Sequence, residues 1–150
     1  MVVTDAERCM RNRRGCDPEV VLALRDLDDR VRDSATASRV AIVTGAVFIP
    51  AGLVKFLAYG WELDNFRRFG LPLPEAWVVT AGVVETLGGI ALLRRRFVAP
   101  SAAVLAVTMA VAIAVSGVAQ GDVVPSLTLA PALLVALLYL LSRAVRPGRG

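Results

Sequence analysis

The chain has 150 residues, a formal net charge of +4 and an apolar share of 56%, above the roughly 45–50% of ordinary soluble domains. It contains no histidine and only two cysteines, which excludes histidine-ligated haem, zinc sites of the usual type and a Ser–His–Asp triad. The positive charge does not point to a nucleic-acid partner, because the arginines are dispersed among acids or stand at the ends of apolar runs and build no continuous basic face.

Residues 1–38 form a polar N-terminal extension. Residues 1–16 carry no periodic pattern and are expected to be disordered. Cys9 and Cys16 lie there in a Cys-x6-Cys spacing, which fits neither a metal site nor a thioredoxin-type pair, and reducing cytosol disfavours a disulfide between them. Asp17–Pro18–Glu19 is a helix start, with an N-cap, a proline at the first helical position and an acid in the first turn. Val20, Val21, Leu24, Leu27 and Val31 then recur at helical spacing opposite Arg25, Asp26, Asp29, Arg30 and Asp33, predicting an amphipathic helix over about 18–33. It can lie on the inner leaflet, dock a partner or tuck under the bundle, and its mixed polar face weighs against the leaflet.

Four apolar runs follow, at about 40–59, 76–93, 97–119 and 123–141. Each is long enough to cross a hydrocarbon core of roughly 30 Å. The expected fold is therefore an all-α membrane protein, an antiparallel four-helix transmembrane bundle over 39–143 with a cytoplasmic amphipathic N-terminal helix and a basic tail at 144–150. No cleavable signal peptide is expected, because the first apolar run begins late and is too long. Arg39 and seven earlier arginines precede the first span, Arg94, Arg95 and Arg96 fill the turn after the second, and Arg143, Arg146 and Arg149 follow the fourth. The positive-inside rule then predicts a multi-pass protein of the plasma or inner membrane with both termini cytoplasmic. The lipid bilayer is its first partner.

Two of the runs each hold one charge, Lys55 in the first and Glu85 in the second. A charge at membrane depth is costly, and marks a functional site or an ion pair. Gly45 and Gly52 share a helix face with Lys55. Gly82 and Gly89 share one with Glu85, and Gly88 lies beside them. Such small residues let membrane helices approach, so both charges are predicted to project from packing faces. Ala102, Ala106, Ala110 and Ala114 suggest a further small-residue stripe in the third run. Lys55 should lie about 7–8 Å and Glu85 about 12 Å below the outer boundary at 1.5 Å per residue. Their side chains lean toward one another, since each leans toward the N-terminus of its own helix. Two readings remain open, an ion pair that fixes the bundle and the polar end of a ligand cavity. Pro50 and Pro131 are expected to kink the first and fourth spans, and Trp61, Trp77 and Tyr139 to anchor at the boundaries.

The longest connection reads GWELDNFRRFGLPLPE, from Gly60 to Glu75. Residues 62–69 can form a short helix with Leu63, Phe66 and Phe69 toward the bundle, ended by Gly70 and an extended return at Pro72 and Pro74. Arg67 and Arg68 stand against the inside-positive bias. They are candidates for pairing with Glu62 or Asp64, or for holding an anionic group.

AGLVKF (Ala51–Phe56), FRRFGLP (Phe66–Pro72) and GVVETLGGIALL (Gly82–Leu93), taken in this order, resemble the DoxX-like family of small four-span membrane proteins. The resemblance runs from Gly45 through Leu141. Lys55 and Glu85 match the family's charged positions, and Gly52, Gly70, Pro72 and Gly89 its small or turn positions. The N-terminal 38 residues are a departure. The family takes its name from a subunit of an archaeal thiosulfate:quinone oxidoreductase, and other members are proposed to act in membrane redox or oxidative-stress assemblies. The resemblance thus implies a subunit of a quinone- or thiosulfate-linked assembly with membrane or cytoplasmic protein partners, quinone being the one cofactor it suggests. The alternative is a non-enzymatic scaffold, assembly factor or small transporter. No catalytic residue and no metal ligand is assigned, and a chain with so few reactive side chains is not expected to turn over substrate alone.

Overall fold

The computed structural model describes residues 18–68, 70, 72–118 and 129–145. Cys9, Cys16, the Asp17 cap, Phe69, the Gln120–Asp122 connection, Arg146 and Arg149 lie outside the described residues. The described chain is all-helical. It comprises α1 (Pro18–Asp33), α2 (Ala35–Leu57), α3 (Tyr59–Arg68), α4 (Pro74–Leu93), α5 (Val98–Ala112) and α6 (Ala130–Val145), with a π-helical turn at Ile113–Val118 prolonging α5.

Each boundary has a local cause. Ser34 alone separates α1 from α2. It adopts an extended conformation, and its side chain accepts from the Ala37 N–H, so it works as an N-cap. The second helix therefore begins five residues before the apolar run that marked it. Gly70 takes φ of +68°, a left-handed conformation that costs glycine little, and its N–H donates to the Arg67 carbonyl. Pro74 then opens α4 at its first turn. At the far end of α4 the Arg96 N–H donates to the Ala91 carbonyl and the Arg95 N–H to the Leu92 carbonyl. This is a Schellman ending with arginine at the left-handed position usually taken by glycine, and Arg95 sits at φ 52°.

The helices pack in a ring, with α2 against α4, α4 against α5, α5 against α6 and α6 back against α2. Gly45 meets Gly89 while Gly52 meets Gly82, so α2 and α4 run in opposite directions. Phe48, Leu92, Val98, Leu105, Leu137 and Leu140 fill the core. Three helical stretches, Ala35–Leu57, Pro74–Leu93 and Val98–Val115, are long and apolar enough to cross a membrane, and the protein is a membrane protein with these candidate spans. The described part of α6 is apolar but has 16 residues, about 24 Å at 1.5 Å per residue.

The small-residue stripe of α5 divides. Ala102 and Ala106 are buried, whereas Ala110 and Ala114 are exposed. Residues four apart advance about 400° around a helix of 3.6 residues per turn. Each step drifts by about 40°, and the stripe leaves the interface after two. Pro50 lies within α2 but is exposed.

The amphipathic α1 docks on the bundle end formed by α2, α5 and α6. Val31 is fully buried and Leu27 packs against the core, while Val20 and Leu22 stay exposed. Asp28 is buried with them. Its two carboxylate oxygens accept the Phe97 and Val98 N–H groups, each at 2.7 Å. Phe97 is left-handed and offers no side-chain cap to α5, so a carboxylate from the distant α1 satisfies the orphan donors there and opposes the positive helix end. Arg32 Nε donates to the Arg95 carbonyl at 3.1 Å, and Arg95 Nη1 to Ser38 Oγ at 3.0 Å, tying α1, α2 and the Arg94–Arg96 turn together.

Candidate functional site: a charge pair beside an apolar cavity

Gly52 and Gly82 bring the backbones of α2 and α4 close. A Cβ on Gly52 would stand 2.7 Å from the Thr86 N and 2.8 Å from the Gly82 carbonyl oxygen. A Cβ on Gly82 would meet the Phe56 ring at 2.8 Å. Thr86 is kept inside its own helix by a 2.8 Å bond from its hydroxyl to the Gly82 carbonyl. Further along the same seam a Cβ on Gly45 would stand 2.6 Å from the Gly89 carbonyl oxygen. Gly88 faces elsewhere, toward α5, where an added Cβ would stand 2.9 Å from the Leu105 side chain.

Lys55 and Glu85 each lie three residues from this contact, and Lys55 Nζ is 3.1 Å from Glu85 Oε2. The Lys55 side chain is 16% exposed and that of Glu85 only 6%. The contact is an ion pair off the hydrogen-bonding angle, since Glu85 Oε2 has no hydrogen-bond partner among the described residues. A carboxylate oxygen carries more than one lone pair, so this one retains acceptor capacity.

The pair borders a cavity of about 290 Å³, just below the roughly 300–1,000 Å³ of ordinary ligand sites. One wall is α4, with Trp77, Thr80, Ala81 and Val84. The other is α5 and its π-helical turn, with Val107, Thr108, Val111, Ala112 and Val115, and Phe66 of α3 closes one side. The cavity therefore opens between α4 and α5. Pro50 is exposed on α2 and is not among the residues lining this cavity. Thr108 bonds the Leu105 carbonyl at 2.8 Å, which leaves Lys55 and Glu85 as the charged groups at an otherwise apolar wall. A π-helical turn changes the side-chain register of a helix and often borders a functional site. Neither the cavity nor this turn was legible in residue spacing. Phe66 was assigned only to packing.

Arg67 and Arg68 are exposed and are not among the residues lining the cavity. Arg67 contacts Asp64 at 3.5 Å and Glu75 at 3.4 Å. It thereby ties α3 to the first turn of α4 and fixes the tight return between them. Among the described residues no group of three or more histidine, cysteine, aspartate or glutamate side chains could hold a metal ion.

No curated protein and no solved structure matches the chain. A sequence model of the DoxX family matches residues 37–117, beginning in the first turn of α2 and ending in the π-helical turn, so that it takes in Lys55, Glu85 and every residue lining the cavity. That match covers more than half of the chain and omits α1 and α6; the chain belongs to the DoxX family.

Proposed function

We propose that the protein is a partner-dependent subunit of a membrane redox assembly, and that the cavity beside Lys55 and Glu85 is where a quinone or a sulfur compound such as thiosulfate meets it. The observation that carries this reading is a nearly buried ion pair bordering an apolar cavity, in a chain of the DoxX family. Although largely buried, both members of the pair line the cavity wall. The apolar walls and Phe66 suit a flat ring, and the Lys55 ammonium suits a carbonyl oxygen or an anionic sulfur oxide, so the residues fit either ligand. Bound quinone would supply electron-accepting chemistry. Lys55 would hold the oxygen that gains negative charge. Glu85 would orient Lys55 or carry a proton to it, a common duty of carboxylates at depth. Arg67 and Arg68, on the same turn as Phe66, would attract an anion toward the entrance. The electrons would come from a protein partner, because the described bundle has no metal site and no cysteine.

In this reading α6 belongs to a fourth span, the bundle is antiparallel throughout, and both termini and α1 lie in the cytoplasm of a plasma or inner membrane. The arginine placement supports that orientation. The scaffold reading draws on the glycine seam between α2 and α4, which would be enough by itself to build a rigid assembly platform. Gentle purification from native membranes separates the two. Retained quinone, together with loss of quinone-linked oxidation in membranes lacking the protein, is expected. A quinone-free bundle whose removal leaves oxidation and oxidant sensitivity unchanged would leave the scaffold. Turnover of thiosulfate by the isolated chain would contradict the partner requirement.

A further inference from the structure

At the bundle end opposite the ion pair, α1 and the turn between α4 and α5 enclose a second groove. Its volume is about 450 Å³, within the roughly 300–1,000 Å³ of ligand clefts. Three arginines line it, Arg25 and Arg32 from α1 and Arg96 from the turn. Two acids line it as well, so the arginines are in excess by one. Asp28 spends its oxygens on the Phe97 and Val98 N–H groups, and Asp29 is 4.0 Å from Arg32. Arg32 donates Nε to the Arg95 carbonyl and holds Nη1 toward Asp29, and since a guanidinium carries five donors its Nη2 remains for a further acceptor. The remaining wall is apolar, with Val21 and Leu24 on one side and Phe97 on the other. Phe97 is 51% exposed and Leu93 beside it 40%. Both stand where the apolar faces of α4 and α5 begin.

We infer that this groove binds an anionic phospholipid, with Arg25, Arg32 and Arg96 around the phosphate and the acyl chains running past Phe97 and Leu93 along the outer faces of α4 and α5. A free anion would need the arginines but not the apolar wall. A lipid needs both, joined at the end of a membrane span, which is the arrangement here. Basic pockets at this level of a membrane protein attract acidic headgroups, and arginine holds phosphate oxygens through its planar fork. The proposal does not rest on the redox reading. It uses the opposite end of the molecule and holds for either leaflet.

The test uses the full chain in mild detergent, with native mass spectrometry and thermal unfolding as readouts. Phosphatidylglycerol is compared with phosphatidylcholine of the same acyl chains and with inorganic phosphate. Wild-type protein is expected to retain phosphatidylglycerol over phosphatidylcholine and to unfold at higher temperature with it, while inorganic phosphate leaves unfolding unchanged. Arg25→Gln and Arg96→Gln should each weaken retention roughly fivefold, the factor that about 1 kcal/mol per arginine sets, whereas Arg39→Gln, an equal loss of charge on α2, should not. Equal retention of both lipids by wild type, equal loss in Arg39→Gln, or the same shift with inorganic phosphate alone would each overturn the site. Tighter binding of a glutamate-rich peptide than of phosphatidylglycerol would assign the groove to an acidic protein segment and overturn it too. The headgroup comparison on wild type decides the matter even where a glutamine variant fails to fold.

Discussion

Gly52 of α2 and Gly82 of α4 abut so closely that a Cβ on the first would stand 2.8 Å from the carbonyl oxygen of the second. The close approach is what allows Lys55 and Glu85, one helical turn away on each helix, to meet at 3.1 Å. The atoms in the way are the Thr86 hydroxyl and, behind it, the Thr86 N and the Gly82 carbonyl oxygen, so even if the Thr86 side chain turns aside the backbone contacts remain and Gly52→Ala must separate the helices. It should destabilise by about 1–3 kcal/mol, the usual cost of overpacking. Gly60→Ala, where the added methyl meets nothing within 4 Å, should be neutral or stabilising. Thermal unfolding in detergent reads both. Equal behaviour of the two variants would mean that the seam is looser than its geometry.

The ion pair itself should respond unequally to single and double replacement. Lys55→Met or Glu85→Gln alone strands a partner and should cost about 3–5 kcal/mol, while the double variant should cost clearly less. A double-mutant cycle measures the difference. Strict additivity would show that the two groups do not depend on each other.

Asp28 makes a prediction that a surface acid would not. Asp28→Ala removes two charge-assisted bonds at the start of α5, and should destabilise by about 1–3 kcal/mol for the first orphaned donor alone. Asp28→Asn should fall between, since an amide keeps one acceptor oxygen. Asp29→Asn, on a side chain that is 68% exposed, should stay within about 0.5 kcal/mol. Hydrogen exchange should also rise at Phe97 and Val98 in Asp28→Ala and not in Asp29→Asn.

Filling the cavity tests the ligand reading without touching the charges. Val111 lines it yet is 50% exposed, so Val111→Trp can occupy the space without opening the core. Quinone retained on purification should fall sharply, because a ligand site needs the open volume that the indole would fill, with the unfolding temperature preserved. Undiminished quinone in a folded Val111→Trp protein would place the quinone elsewhere.

Orientation is accessible to an impermeant thiol reagent. With Cys9 and Cys16 replaced by serine, Trp61→Cys should label from outside intact cells and Arg96→Cys only after permeabilisation. Both side chains are exposed, so access is set by the membrane. Labelling of Arg96→Cys from outside would invert the topology.

Features that follow from local composition and period could be read before any packing was known. Apolar length fixed where α2, α4 and α5 lie, because a span must satisfy its backbone internally and present apolar side chains on every face. Helical period put Gly45, Gly52 and Lys55 on one face and Gly82, Glu85 and Gly89 on another, and it marked the amphipathic α1. Asp28 was visible too in retrospect, since Leu24, Leu27, Asp28 and Val31 follow the 3–4–7 spacing of a buried stripe, and an acid on such a stripe calls for a partner. Which partner, only the tertiary structure decided, because the Phe97 and Val98 N–H groups lie about seventy residues away in sequence. The cavity is likewise a tertiary property. It depends on α4 and α5 touching tightly at Gly88 and Leu105 and leaving room beyond, and on the π-helical turn after Ala112, for which no residue pattern codes. The ring order of the helices also came from packing alone. Apolar faces turned toward lipid and apolar faces turned toward a neighbouring helix have the same composition, so hydrophobicity cannot tell them apart.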